Sequence, residues 1–297
     1  MKKRTAYKFY LLSVLMTLTF SSCEKEKEIA IGTRQENQRL YDVQYGTGLR
    51  REMDVFLHED RSSDKPFIIF LHGGSWEYGN KLLLSGMQEN VLKKGYSSAS
   101  INYSFVNLTT DYKKLMDDVH ASINQIQKNA SNWNIRPNQY ILVGHSAGAH
   151  LSLLYAYNYQ RKGEVKGVVS LAGPTDFSDE KLVLEMVKKN HPLIKQIELM
   201  AGIGISRLFP LPVPEQFINA SPLHNIENPI PTLLIHGTED KTVDISQSVA
   251  LSKVLTEKKI ANEFIKLESA SHMLGLFETE DKYNLTNLLI NWVEKNN

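Results

Sequence analysis

The chain has 297 residues, 42% hydrophobic and 23% charged, an ordinary make-up for a folded protein with room for one large domain or two small ones. Its formal charge is +1; without the basic residues of its first 22 positions it carries 30 Lys and Arg against 33 Asp and Glu, so no basic surplus points to nucleic acid. Its single cysteine, Cys23, excludes an intramolecular disulfide, and the cysteine and histidine spacing offers no zinc site.

Residues 1–22 read as a signal peptide. Lys2, Lys3, Arg4 and Lys8 precede an apolar run from Phe9 to Phe20. That run is too short to span a bilayer comfortably and suits a signal-peptide core. Leu18-Thr-Phe-Ser-Ser-Cys23 resembles a bacterial lipoprotein box, with Phe20 and Ser21 as departures from it. The resemblance implies cleavage before Cys23 and lipid attachment to it. It also implies a lipid-anchored protein of the bacterial cell envelope, periplasmic or surface-exposed. The other reading is an ordinary secretory signal on a secreted protein. Residues 23–38 open with Glu24-Lys-Glu-Lys-Glu28 and stay polar, so they read as a flexible tether that can bury no core. The folded domain is expected over 39–297.

Leu40–Gly46 and Arg51–Leu57 alternate polar and apolar residues around Gly46-Thr-Gly48, which predicts a hairpin at a sheet edge. Phe67-Ile-Ile-Phe-Leu71 is a strand buried on both faces and runs into His72-Gly73-Gly74-Ser75-Trp76. A helix is expected over 82–94 and a strand over 96–103. Leu115, Met116, Val119, Ile123 and Ile126 recur at helical spacing and predict an amphipathic helix over 112–130. Tyr140–Val143 reads as a buried strand, and Ala149, Leu151, Leu153, Leu154 and Ala156 as a buried helix.

Between that strand and helix lies Gly144-His145-Ser146-Ala147-Gly148, a G-x-S-x-G pentapeptide. The pentapeptide alone is a weak signal; the strand before it and the helix after it supply its confirming context. Such a turn lifts the Ser146 hydroxyl above the sheet edge, where the Ala147 N–H, lacking a helical partner, can bind an oxyanion.

Strand 165–171 follows, leading into Gly173-Pro-Thr-Asp176. Residues 178–228 break the rhythm with one helical piece and a proline-rich loop, Phe209–Pro214, and read as a cap inserted over the site. Strand 232–235 ends in His236-Gly-Thr-Glu-Asp240; helix 246–258, strand 263–267 and helix 282–295 complete the chain. Strands alternating with helices imply a mostly parallel eight-stranded sheet, covered by helices on both faces, with active residues at the carboxyl ends of strands.

Three further signals fall at such ends. Gly73 and Gly74 let backbone N–H groups approach a substrate, while His72 reads as structural. An acid is needed to hold an imidazole tautomer, and Glu239, Asp240 and Asp244 compete for that place. His272 follows the last strand and completes the order Ser…Asp…His. His145 and His150 flank Ser146 on a rigid element; His145 has poor geometry for a base, and His150 should point down the helix.

Taken in this order, the motifs resemble the α/β-hydrolase superfamily over about residues 40–295. The His-Gly-Gly-x-Trp loop, the Gly-His-Ser-Ala-Gly elbow, Gly173–Asp176 and His236–Asp240 are similar to the esterase/lipase branch. That branch holds hormone-sensitive-lipase-like carboxylesterases, kynurenine-formamidase-like enzymes and acetyl and feruloyl esterases. Ser75 stands where lipases of the branch often have a third glycine. The resemblance implies a Ser146–His272–Asp240 triad, with Asp240 as the acid, and an oxyanion hole from Gly74, Ser75 and Ala147. It implies a carboxylesterase that uses an acyl-enzyme and no cofactor or metal, acting on small or carbohydrate-linked acyl esters. The cap and the loops around Trp76 and Phe105 are expected to shape the substrate pockets. The alternatives are an amide hydrolase, formamidase or peptidase, on the same fold, and a non-catalytic hydrolase-fold binding protein.

Overall fold

A run of five apolar residues with no polar alternation must be covered on both sides, and Phe67–Leu71 (β3) accordingly lies near the middle of the sheet, every residue buried. The computed structural model describes residues 35–161, 163–203, 212–276, 278 and 281–297. The signal peptide, Cys23, most of the expected tether and the first part of the proline-rich loop lie outside the described residues.

The strands are β1 (Gln38–Gln44), β2 (Glu52–Leu57), β3, β4 (Ser97–Ile101), β5 (Tyr140–His145), β6 (Val165–Leu171), β7 (Thr232–Gly237) and β8 (Asn262–Leu267). They form one sheet in the order β1-β2-β4-β3-β5-β6-β7-β8. β1 and β2 are the expected antiparallel edge hairpin, and β2 is also antiparallel to β4. From β4 to β8 every pairing is parallel.

Alternate residues of the central strands feed two cores. Ile68, Phe70, Ile141 and Val143 face α1 (Ser85–Lys93) and α8 (Leu285–Asn296). Phe67, Ile69, Leu71 and Leu142 face α2 (Tyr112–Trp133), α3 (Ala147–Leu154) and α7 (Ser246–Glu257).

Element ends depart from the sequence expectation for identifiable reasons. α2 runs to Trp133, whose buried indole extends the apolar stripe, and stops at Asn134 in the left-handed conformation. The helix expected from 82 is a 3₁₀ turn over Lys81–Leu84 followed by α1. The last helix starts at Leu285 rather than 282 because the Asp281 carboxylate accepts from the Leu285 and Thr286 N–H groups. Between β6 and β7, the described part of the insertion holds three short helices rather than one: α4 (Glu180–Lys188), α5 (Ile194–Met200) and α6 (Glu215–Ala220).

The approach of α3 to β3 is closed to any side chain. A Cβ on Gly148 would lie 2.1 Å from the Leu71 carbonyl oxygen, and one on Gly144 would lie 2.2 Å from that of Gly148. Both obstacles are backbone, which cannot swing aside. Gly148→Ala should therefore lower stability by at least about 2 kcal/mol in urea unfolding. An unchanged midpoint would mean that the elbow does not sit this close to β3.

Candidate active site

The turn from β5 into α3 places Ser146 at φ 52° and ψ −119°, a backbone conformation that a non-glycine residue holds only under constraint. The constraint is visible. The Ser146 N–H donates to Leu171 O at the end of β6 (2.8 Å), and Ser146 O accepts the first α3 bond from His150 N–H (3.0 Å). The hydroxyl so presented lies 2.9 Å from His272 Nε2. His272 Nδ1–H donates to Asp240 Oδ2 at 2.7 Å. That bond fixes the tautomer, leaving the Nε2 lone pair toward the Ser146 hydroxyl.

Asp240 follows β7, and its carboxylate is wholly shielded from solvent. Oδ1 accepts from the Thr242 and Val243 N–H groups at 2.8 and 2.9 Å. Oδ2 accepts from His236 Nε2 at 3.1 Å besides His272. His236 in turn has the Ser248 hydroxyl at Nδ1, 2.8 Å away. Burial alone would push the Asp240 carboxyl up; the hydrogen bonds from His236, His272 and the Val243 N–H outweigh it and hold the group well below its usual range. The rival acids are elsewhere. Glu239 is exposed, and Asp244 accepts from the Ser246 N–H at the start of α7.

His272 sits on a loop, and another histidine holds that loop. His145 Nε2–H donates to the His272 carbonyl at 2.9 Å. Burial, then the neighbouring His272, lowers His145 to about 4, so it stays a neutral donor at neutral pH. His72 is scaffold, as expected. Its Nδ1–H donates to Gly73 O, its Nε2 accepts from Arg50, and its ring stacks on Tyr103. His150 does not point down its helix: its buried ring lies between Trp76 and Ala220. The bracing roles of His145, His150 and His236 were not foreseen, although His236 stands four residues before the acid and His145 is the variable residue of the elbow itself.

Gly74, Ser75 and Trp76 take φ of 121°, 50° and 61°, three successive left-handed residues. Ser75 and Ala147 line the same cavity as Ser146. Gly74, expected beside them, is not among the residues that line it; its carbonyl accepts from the Glu77 and Tyr78 N–H groups. The cavity has a volume of about 290 Å³. Leu182, Val183 and Met186 of α4, with Leu193 and Ile197, make its apolar wall, and Asp176, Lys241, Thr242 and Asp244 its polar rim. Trp76 reaches the cavity, but Phe105, expected beside it, does not; its ring lies 3.7 Å beneath the Arg50 guanidinium. Among the described residues, the one cluster with metal-ligand spacing, His58, Glu59 and Asp60, shares no residue with the cavity.

The arrangement sets a hydroxyl, an imidazole and a buried carboxylate in one hydrogen-bonded line at the wall of the cavity that Ser75 and Ala147 also line. A family model described as BD-FAE matches residues 53–255. The chain is 28% identical over 147 residues to a kynurenine formamidase of Danio rerio, covering 48% of each chain. It is 24% identical over 246 residues to a probable isoprenylcysteine alpha-carbonyl methylesterase of Oryza sativa subsp. japonica, covering 79% of this chain and 58% of that one. It thus spans about half to three fifths of the length of such relatives. A truncated carbohydrate esterase from gut microbiota superposes with a TM-score of 0.70 at 22% identity, over 88% of this chain and 98% of that one. Esterase B from Lactobacillus rhamnosis superposes at 0.72 and 15% identity, over 88% and 86%. These likenesses bear on the fold.

Because the folded pKa of Asp240 is depressed, its contribution to stability is complete above the ordinary value of 3.8 and is lost as pH falls through the lower folded value. Wild type should exceed Asp240→Asn in urea unfolding at neutral pH, and the gap should narrow below about pH 4. A gap independent of pH would show that this carboxylate is not held in its charged form by its neighbours.

Proposed function

The chain belongs to the BD-FAE family and has the α/β-hydrolase fold, and from that premise we propose that it is a serine carboxylesterase. The observation that carries the reading is the unbroken hydrogen-bonded line from the Ser146 hydroxyl through His272 to the buried Asp240 at one wall of a cavity.

His272 Nε2 takes the proton as Ser146 Oγ attacks the ester carbonyl. The charge that develops on the carbonyl oxygen is received by the N–H groups of Ser75 and Ala147. Asp240, held as the anion, stabilises the imidazolium at 2.7 Å. The alcohol leaves with the proton from His272. Water, deprotonated by the same imidazole, then releases the acid and frees Ser146.

Two features support small or carbohydrate-linked acyl esters as the substrate class. The apolar wall from α4 and α5 suits an acyl group, and the polar rim of Asp176, Lys241 and Thr242 suits a hydroxyl-rich alcohol. The gut carbohydrate esterase supports the same class by analogy of fold. The match to a kynurenine formamidase favours a second reading, hydrolysis of an aryl formamide by the same residues. Turnover of a short p-nitrophenyl ester against an aryl formamide separates the two.

Ser146→Ala should abolish labelling by a fluorophosphonate and lower kcat by about 10⁴-fold or more. A variant that still labels and turns over would place the nucleophile elsewhere.

We further propose that Cys23 carries the lipid that holds the protein to the bacterial cell envelope. The basic start, the apolar run from Phe9 to Phe20 and the polar segment after the cysteine support this. Wild type should fractionate with membranes, since anchoring of this kind takes more than one acyl chain. Cys23→Ser should remain uncleaved or be released in soluble form with unchanged activity per molecule. Mass spectrometry finding an unmodified mature N-terminus would make this a secreted protein instead.

A further inference from the structure

His150 is fully buried on α3, one turn beyond Ser146, and the chemistry above does not use it. Both ring nitrogens are engaged. The Trp76 indole N–H donates to Nδ1 at 3.1 Å. Nε2–H donates to the carbonyl of Ala220, the last residue of α6, at 2.7 Å. The indole bond needs an acceptor at Nδ1 and so fixes the proton on Nε2, where the Ala220 carbonyl needs it; each bond selects the tautomer the other requires.

Packing repeats the arrangement. The rings of Trp76, His150 and Phe177 meet edge to face, with centroids 5.4, 5.9 and 5.1 Å apart. Phe177 opens the cap segment, and its N–H donates to the Ser221 hydroxyl at the far end of that segment. One imidazole therefore ties together the loop after β3, the helix of the nucleophile and both ends of the cap.

The loop it holds is the one that requires holding. Three successive left-handed residues persist only where the surroundings over-determine them. Other ties hold the backbone of this loop: Arg50 donates to the Gly79 carbonyl, the Trp76 carbonyl accepts from the Val106 N–H, and Glu77 accepts from Gln196 of α5. None of these reaches the Trp76 side chain. Ser75 immediately precedes the indole, so the position of its N–H follows that of the ring.

We propose that His150 is a positioning residue for the oxyanion loop: by accepting from Trp76 and donating to Ala220 it sets the Ser75 N–H against Ser146 and makes that setting depend on the seating of the cap. This rests on the serine-esterase reading above.

The test compares His150→Phe, His150→Asn, His150→Gln, Trp76→Phe and the His150→Phe/Trp76→Phe double variant in the full chain. The readouts are kcat and KM on a short p-nitrophenyl ester, the rate of fluorophosphonate labelling, and Tm. Phe keeps the ring and loses both hydrogen bonds. Asn places an acceptor near Nδ1, while Gln reaches only the Nε2 position. His150→Phe should lower kcat about ten- to a hundredfold, the scale for a misplaced oxyanion donor, with KM within about twofold. Labelling should slow by a similar factor. Asn should recover more of kcat than Gln at equal Tm. The double variant should be no slower than the worse single one, because both remove the same bond. If His150→Phe does not fold, Trp76→Phe and the Asn–Gln comparison decide. Unchanged kcat in the single variants, additive losses, or Gln equal to Asn would overturn the proposal. A wild type that neither labels nor turns over would overturn the serine reading and this proposal with it; an active wild type beside unaffected variants would overturn this proposal alone.

Discussion

A carboxylate fully withdrawn from water must be matched by donors or give up its charge. Asp240 is matched four times, by two backbone N–H groups and two imidazoles. Much of the surrounding loop geometry follows from that requirement. The chain after β7 must curl back so that Thr242 and Val243 point their N–H groups at Oδ1. His236, next to last in β7, must turn its ring toward Oδ2, a setting that the Ser248 hydroxyl completes. Only one coordination place is then left, and His272 fills it from the loop after β8. Meeting the charge thus sets the tautomer of His272 and, through it, the direction of the lone pair that faces Ser146.

The same economy explains the histidines. A buried neutral imidazole can donate at one nitrogen and accept at the other, so it can join two backbone segments that each carry one unmatched group. His145 joins the elbow to the His272 loop, and His150 joins the loop after β3 to α6. His72 lies between Arg50 and the backbone at Gly73. Burial keeps His145 and His150 at about 4 and His72 at about 3, so none of the three turns into a second donor at neutral pH and breaks what it holds. Strained backbone lies beside two of these clasps. Ser146 and residues 74–76 occupy the left-handed region, and each stretch is pinned by bonds to a different element.

Much of this was legible in the sequence. Apolar runs such as Phe67–Leu71 and Tyr140–Val143 read as buried strands, and their alternation with amphipathic helices leaves a parallel sheet as the consistent arrangement. The elbow, the Gly-Gly loop and the residues at later strand ends are local signals that point to Ser146 and His272, while Asp240 is singled out from Glu239 and Asp244 only by the family resemblance. What brings them to within 2.9 Å is not local. His145 and His272 lie 127 positions apart, His150 and Ala220 lie 70 apart, and no periodicity relates such pairs. A histidine that braces a loop and one that faces a serine hydroxyl are the same letter in the sequence. They differ only in what the folded chain puts around each nitrogen. Phe105 shows the converse: its loop is expected to shape a substrate pocket, but Arg50 covers its ring face.

The cap was the least legible part, for a physical reason. Its helices are short, and α5 and α6 are too brief to show a period. They are stabilised by what they lie on rather than by their own turns. Leu193 and Ile197 pack onto the larger core beside the cavity, and the Ser221 hydroxyl and Ala220 carbonyl fasten the end of α6 to Phe177 and His150. A segment stable only in place is free to change its wall residues without cost to the sheet, so long as those fastenings remain. The Ser146–His272–Asp240 line and the apolar wall of the cavity are therefore carried by different parts of the molecule, and they meet at the ring cluster of Trp76, His150 and Phe177. Trp76 and Phe177 line the cavity, while His150 behind them is buried and held at both nitrogens.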